Sequence, residues 1–380
     1  MMNTYVTQQR ERVENRIREL IEDTSSPALD EVPSSELMRG VISQALLSSQ
    51  GGKRLRALLS LAAGSPETST QSGVALSSDS LLDLACAIEI FQTGALVHDD
   101  IIDDSDIRRG IAAAHRGLAG IFTRFARSIS NNGQESAAAD ASSVGSGLGI
   151  MLGDLLATQS LTVASRAATQ HPLHEPITTV FLRMQHEVEI GQIMDLADTA
   201  VRLDDPETMI ENCLAVFRWK TASYTTIAPL ELGFLSSGVS SGAAHLWAER
   251  IGVPLGTAFQ LADDLIDVSQ DKKTSGKPRG GDIKEGKHTV LLADALLAAT
   301  PLDKATLIET YSLPQRSDSL ISEVIKIFVR SGAVASSQKR ISTLWSHTLV
   351  QLAACAKELH LTEESARKLE AVCALFLPHA

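Results

Sequence analysis

Asp99, Asp100 and Asp103 follow an apolar run, Leu81 to Ile102, whose nonpolar residues surround almost the whole circumference of a helix. That pattern belongs to a helix inside a larger core, and charge there is unexpected. Spaced i, i+1, i+4 on a helix, three carboxylates fall within about 100° of one face. Two carboxylates about 4 Å apart repel by about 4 kcal/mol at a protein-surface dielectric, so the cluster calls for a cation. Mg²⁺ takes one or two carboxylates and leaves its other positions to water and phosphate, which fits a site for a phosphorylated substrate. An acidic helix end meeting solvent would carry the same residues. A second cluster weakens that alternative: Phe259–Asp267 reads FQLADDLID and repeats the spacing with Asp263, Asp264 and Asp267.

Basic stretches accompany the acidic ones. Gly51-Gly52-Lys53-Arg54-Leu55-Arg56 opens a helix after two glycines, and free N–H groups at a helix start favour an anion. Arg108-Arg109-Gly110 follows the first cluster, although both arginines could instead pair with Asp104 and Asp106. Lys220-Thr221-Ala222 lies beside Trp219, where a lysine could also snorkel to the surface. DKKTSGKPRGGDIKEGK, residues 271–287, suits a flexible lid that closes on phosphate. His98 reads as a hydrogen-bonded helper beside the first cluster, and His115 as structural.

These groups need a scaffold, and the composition predicts a helical one. The chain has 380 residues, 44% hydrophobic but only 4% aromatic, with no clear run of alternating β-branched residues. Periodicity predicts helices over about 3–23, 35–49, 79–104, 112–127, 146–170, 176–199, 206–236 and 242–270, with another opening at 51–56. Four or five more follow over 288–377. Pro229 and Pro254 are expected to kink or interrupt theirs. The expected architecture is all-α: one large helical bundle and a single domain over 1–380. A low-complexity insert at about 128–147 is expected to be mobile. No membrane span is expected, and the polar, amphipathic N-terminus does not read as a secretory signal. Cys86, Cys213, Cys355 and Cys373 are scattered through apolar helical contexts, as in a reduced, cytoplasmic protein. The net charge of −12 argues against a nucleic-acid partner.

Taken together, GGKRLR at 51–56, LVHDDIIDDSDIRRG at 96–110, GD at 153–154, GQIMDL at 191–196, KTA at 220–222, FQLADDLID at 259–267 and GKPRGGDIKEGK at 276–287 resemble the trans-isoprenyl diphosphate synthases, the polyprenyl synthetase family. The pieces occur in the family's order over about residues 50–290, and the geranylgeranyl diphosphate synthases are the nearest type. The resemblance implies a Mg²⁺-dependent trans-prenyltransferase that condenses isopentenyl diphosphate head-to-tail with dimethylallyl, geranyl or farnesyl diphosphate. It also implies an antiparallel bundle with a central apolar cavity, a homodimer and three Mg²⁺ ions per site, with Mn²⁺ as a substitute.

Carried over by position, Asp99, Asp100, Asp103, Asp263, Asp264 and Asp267 would bind metal. Arg108, Lys220 and Lys277 would contact the allylic diphosphate, while Lys53, Arg56, Gln92 and Arg109 would hold isopentenyl diphosphate. Thr221 and Gln260 would stabilise the carbocation, and Lys287 belongs to the lid. Two departures stand out: Ala57 where the family usually has Pro, and Ala112-Ala113 where it usually has Pro-Thr.

In farnesyl-length members bulky aromatics lie one turn before the first cluster. Gly94 and Ala95 stand there in this chain, leaving that side of the tunnel open, and Phe91, with Phe122 or Met151, could form a floor. Geranylgeranyl diphosphate or a longer product is expected. A class I terpene cyclase would lack FQLADDLID and the first basic motif, an HD-type phosphohydrolase would leave the second cluster unexplained, and a non-catalytic subunit would have lost aspartates.

Overall fold

The computed structural model describes residues 2–24, 32, 34–64, 75–129, 141–169, 171–198, 200–269 and 279–377. They fall into two compact units, Met1–Leu61 with Leu76–Thr178, and Ala62–Ala75 with Thr179–Ala380.

The first unit holds α1 (Met2–Glu22), α2 (Ser35–Ser49), most of α3 (Leu55–Ala63), α4 (Ser78–Ile102), α5 (Ala114–Ile129) and α6 (Ala141–Ala168). Ser77 caps α4 by accepting the Ser80 N–H at 3.1 Å, and Leu84, Ile88 and Ile90 along it are fully buried. Each such side chain contributes about 1.5–3 kcal/mol. Both α4 and α6 are long and apolar enough to cross a membrane by length and composition alone; the apolar window of α4 is 72% buried, as in the core helix of a globular unit.

Glycines set how closely α4 and α6 approach. A Cβ on Gly94 would stand 2.8 Å from the Gly153 carbonyl, and one on Gly153 would stand 2.1 Å from His98 Nε2. Residues 130–140 of the expected insert lie outside the described residues. Ala141–Gly147 form the first turns of α6 rather than a mobile stretch, with Gly145 packed against the His115 carbonyl of α5.

The second unit contains all but the first turn of α7 (His174–Asp198), α8 (Pro206–Val216), a π-helix (Phe217–Ile227), α9 (Ala228–Ser236) and α10 (Ser241–Ser269). A short helix, Gly281–Glu285, precedes five more: Val290–Ala298, Pro301–Ser312, Asp318–Arg330, Ala333–Glu358 and Glu363–Ala374. Phe181, Phe234, Trp247, Phe328 and Phe376 fill its core. The helix expected over 206–236 runs without interruption as α8, the π-helix and α9 in turn, and Pro229 lies just past the return from π to α register rather than breaking it. Pro254 does not interrupt α10; the adjacent turn is pinned to the π-helix by Thr226 Oγ1, which donates to the Gly252 carbonyl at 2.7 Å.

The architecture is an all-α bundle. Its described strands are a two-residue antiparallel ribbon, Ile107–Arg108 (β1) with Ile111–Ala112 (β2).

Candidate active site

In the first unit, α4 ends at Ile102 and Asp103 is its C-cap, donating its N–H to the Asp99 carbonyl at 2.9 Å. The cluster therefore sits at the negative end of a helix dipole, which adds to the mutual repulsion of its carboxylates. The backbone then turns through Asp104 at φ +49° into the ribbon, which reverses at Arg109 (φ +53°) and Gly110 (φ +81°). That turn brings Arg108 back onto the cluster: Nε donates to Asp100 Oδ1 at 2.8 Å and Nη2 to Asp99 Oδ2 at 3.3 Å. Burial pushes the Asp100 carboxyl up against the opposing pull of Arg108.

Asp104 and Asp106 are taken by a residue the sequence reading passed over, Arg116, at 2.7 and 2.8 Å. Arg109 instead donates to the Gln50 carbonyl at 2.7 Å, which sets it beside the first basic motif. There Lys53 is exposed, Arg56 is buried, and a cavity opens between α2, α4 and the ribbon, lined by Gln50, Thr93, Leu96, Asp100, Arg108 and Arg109. Gln92 is half-buried on α4. His98 bonds the Ile150 carbonyl of α6 at 3.0 Å, away from the carboxylates of the first cluster.

In the second unit, α10 carries the other cluster, and the π-helix supplies the residues beside it. Thr221 Oγ1 donates to Gln260 Oε1 at 2.9 Å, and Gln260 Nε2 donates to Asp264 Oδ1 at 3.0 Å. Lys220 is not a snorkelling lysine: its Nζ lies 2.5 Å from Asp195 Oδ2 on α7. The π-helix register went unread, though such segments gather at functional sites. A Cβ on Gly191 would lie 2.2 Å from Lys220 N, and one on Gly256 would lie 2.5 Å from Ala222 Cβ, so two glycines let α7 and α10 close on this segment.

Asp267 plays a structural part that its spacing did not announce. Its oxygens accept the N–H groups of Gly281 at 3.0 Å and Asp282 at 3.2 Å, capping the short helix over which the chain returns. That return brings in Asp282, a further carboxylate absent from the sequence reading, whose only signal was its place in GGDIKEGK. Burial and the neighbouring Asp267 push its carboxyl up to about 7. Asp264 is pushed well up by burial, reinforced by Asp282. Lys287 follows Gly286 (φ +80°) with its Nζ 2.9 Å from Glu285. Lys277 lies outside the described residues.

The donor set suits a hard cation. Asp264 Oδ2 is buried with no hydrogen-bond partner, an arrangement that costs about 1–3 kcal/mol or more unless a positive group meets it. Among the described residues no three carboxylate, imidazole or thiol groups form a ready-made cage. Mg²⁺ does not need one, since water and phosphate complete its octahedron.

The tunnel residues divide. Phe91 is buried, Ala95 is half-buried, and the two share a stripe of α4 with Asp99. Gly94 does not open a tunnel: its bare Cα is required by the contact with Gly153 and Leu156 on α6. Met151 is 58% exposed, whereas Phe122 is half-buried.

Residues 40–328 match the polyprenyl synthetase family model. The chain belongs to the polyprenyl synthetase family. It is accordingly a prenyltransferase enzyme, and this polyprenyl synthetase is 31% identical over 326 residues to the short chain isoprenyl diphosphate synthase of Methanothermobacter thermautotrophicus, covering 85% of this chain and 83% of the relative. It is 26% identical to the octaprenyl diphosphate synthase of Escherichia coli, with 77% and 76% covered. The geranylgeranyl pyrophosphate synthase of Corynebacterium glutamicum, solved with isoprenyl diphosphate and magnesium, superposes with a TM-score of 0.78 at 27% identity over 97% of this chain and 99% of that one.

Proposed function

We propose that this polyprenyl synthetase condenses isopentenyl diphosphate head-to-tail with an allylic diphosphate and releases geranylgeranyl diphosphate. The observation that carries the proposal is the partnerless, buried Asp264 oxygen in a cluster of carboxylates, joined through Gln260 to Thr221. Asp99, Asp100 and Asp103 in one unit and Asp263 and Asp264 in the other hold Mg²⁺, or Mn²⁺ in its place. Asp267 joins them as a ligand while its oxygens also accept the N–H groups of Gly281 and Asp282 before Lys287. When bound, Mg²⁺ supplies the positive charge that stabilises a departing diphosphate.

The allylic diphosphate is met by Arg108, Lys220 and Lys277. Arg108, which donates to Asp99 and Asp100 through Nε and Nη2, offers its remaining N–H groups to phosphate. Lys53, Arg56, Gln92 and Arg109 hold isopentenyl diphosphate. The allylic carbon–oxygen bond breaks, the double bond of isopentenyl diphosphate attacks the cation, and the proton lost passes to the leaving diphosphate. Thr221 and Gln260 present oxygen dipoles to the cation, a fixed polar environment that needs no reorganisation during reaction. The family match runs from residue 40 to 328, with residues in both units, which supports reading those residues as one catalytic domain.

Product length rests on Ala95. Ala95→Phe fills the stripe one turn before Asp99 and is expected to shift the product to farnesyl diphosphate or shorter, read by sizing the dephosphorylated alcohols. An unchanged product would remove Ala95 from the tunnel. The likeness to the octaprenyl synthase supports a second reading, a longer-chain product. Incubation with Mg²⁺, labelled isopentenyl diphosphate and each allylic primer separates the two. Geranylgeraniol after phosphatase treatment is expected, and a hydrocarbon or alcohol formed without phosphatase would contradict both.

A further inference from the structure

We infer that Arg54, which stands between Lys53 and Arg56, positions isopentenyl diphosphate without touching it; this rests on the function proposed above. Its side chain is 2% exposed, turned inward from a loop that leaves Lys53 exposed. Three helices meet on its guanidinium. Nε and Nη2 donate to the two oxygens of Glu14 on α1 at 2.9 and 2.8 Å. Nη2 also donates to the carbonyl of Ser49, the last residue of α2. Nη1 reaches Glu89 Oε2 on α4 at 3.4 Å.

Glu89, itself 2% exposed, uses its other oxygen to accept the Ala57 N–H at 3.1 Å. That N–H lies in the first turn of α3, where no helix carbonyl is available to it; the first bond of the helix runs from the Leu58 N–H to the Arg54 carbonyl at 2.9 Å. A proline in place of Ala57 would have no N–H to give, so this carboxylate-to-backbone tie depends on one of the chain's two departures from the usual family pattern.

Arg54 has left-handed backbone geometry at φ +55°. A non-glycine residue holds that conformation only where its surroundings over-determine it, and the salt bridges to Glu14 and Glu89 are those surroundings. The turn decides where Lys53 and Arg56 emerge. It also reaches Arg109: the Cβ position of Gly52 lies 3.4 Å from Arg54 Nη1 and 3.6 Å from Arg109 Nη2. A shift of the Arg54 guanidinium would therefore disturb three of the four side chains assigned to isopentenyl diphosphate.

Arg54→Lys keeps the charge and loses the two-pronged fork. Glu89→Gln keeps an acceptor for the Ala57 N–H and loses the charge. In the full-length enzyme each is expected to raise KM for isopentenyl diphosphate about tenfold, leaving kcat and the allylic KM within about twofold, the signature of binding lost equally from ground state and transition state. Calorimetry with isopentenyl diphosphate should show affinity weakened by the same factor. A purely structural role would lower the melting temperature and the yield of active enzyme while leaving KM for isopentenyl diphosphate unchanged, and that result overturns the inference, as does an equal rise in both KM values. Should Arg54→Lys melt too early to assay, Glu89→Gln decides alone. Wild-type protein that fails to elongate an allylic primer counts against the proposed function, not against the role of Arg54.

Discussion

Asp99→Ala and Asp263→Ala are each expected to lower kcat/KM by roughly 10²–10³-fold, the usual cost of removing one group that stabilises developing charge. The two positions lie at comparable points of their clusters, each the first carboxylate of the i, i+1, i+4 set and each less buried than its neighbour, Asp100 or Asp264. Neither replacement leaves a buried charge unpaired, so melting temperatures should stay close to wild type. Steady-state kinetics at saturating Mg²⁺ read the first effect and thermal melts the second. Activity within a few-fold of wild type in either variant would take that cluster out of the chemistry.

The other large effect comes from a residue that bears no functional group. A Cβ on Gly191 would stand 2.2 Å from Lys220 N, 2.5 Å from Lys220 Cα and 2.6 Å from Trp219 C. All three are backbone atoms, so no rotamer change can relieve the clash. Gly191→Ala must push α7 away from the π-helix, and overpacking of this kind costs about 1–3 kcal/mol or more. The same displacement draws Asp195 from Lys220 and disturbs the Thr221–Gln260–Asp264 chain, so kcat should fall at least tenfold even where the protein remains folded. Gly147→Ala is the matched control. Nothing lies within 4 Å of its Cβ position on α6, so it should leave kcat unchanged and stabilise by about 0.5–1 kcal/mol, the helical preference of Ala over Gly. Equal behaviour of the two variants would remove the steric argument.

These contrasts show which parts of the molecule could be read from its residues. The long helices were legible because apolar periodicity is local: the starts expected at about 79 and 206 fall within a residue of those of α4 and α8, and the caps that fix them, Ser77 and Asp205, were not used. The acidic clusters were legible because i, i+1, i+4 spacing on an apolar helix has few structural uses. The π-helix was not, since FRWKTASYTTI has the same apolar pattern in either register, and tertiary contact at Gly191 and Gly256 accompanies the change. Gly94 misled for a related reason. A missing side chain reads the same whether it opens a tunnel or admits a neighbouring helix, and only the Gly153 carbonyl tells them apart. The capping role of Asp267 required knowing that Gly280–Asp282 folds back over α10, and the capture of Asp104 and Asp106 by Arg116 required the turn at Arg109-Gly110.

The proposed function has both acidic clusters act on a single diphosphate, and the Asp99→Ala/Asp263→Ala double variant tests that proposal most directly. Groups that work as a unit are strongly non-additive. The double variant is therefore expected to lose little more kcat/KM than the worse of the single variants. A loss equal to the product of the two single losses would mean that the clusters act independently, and would contradict the account.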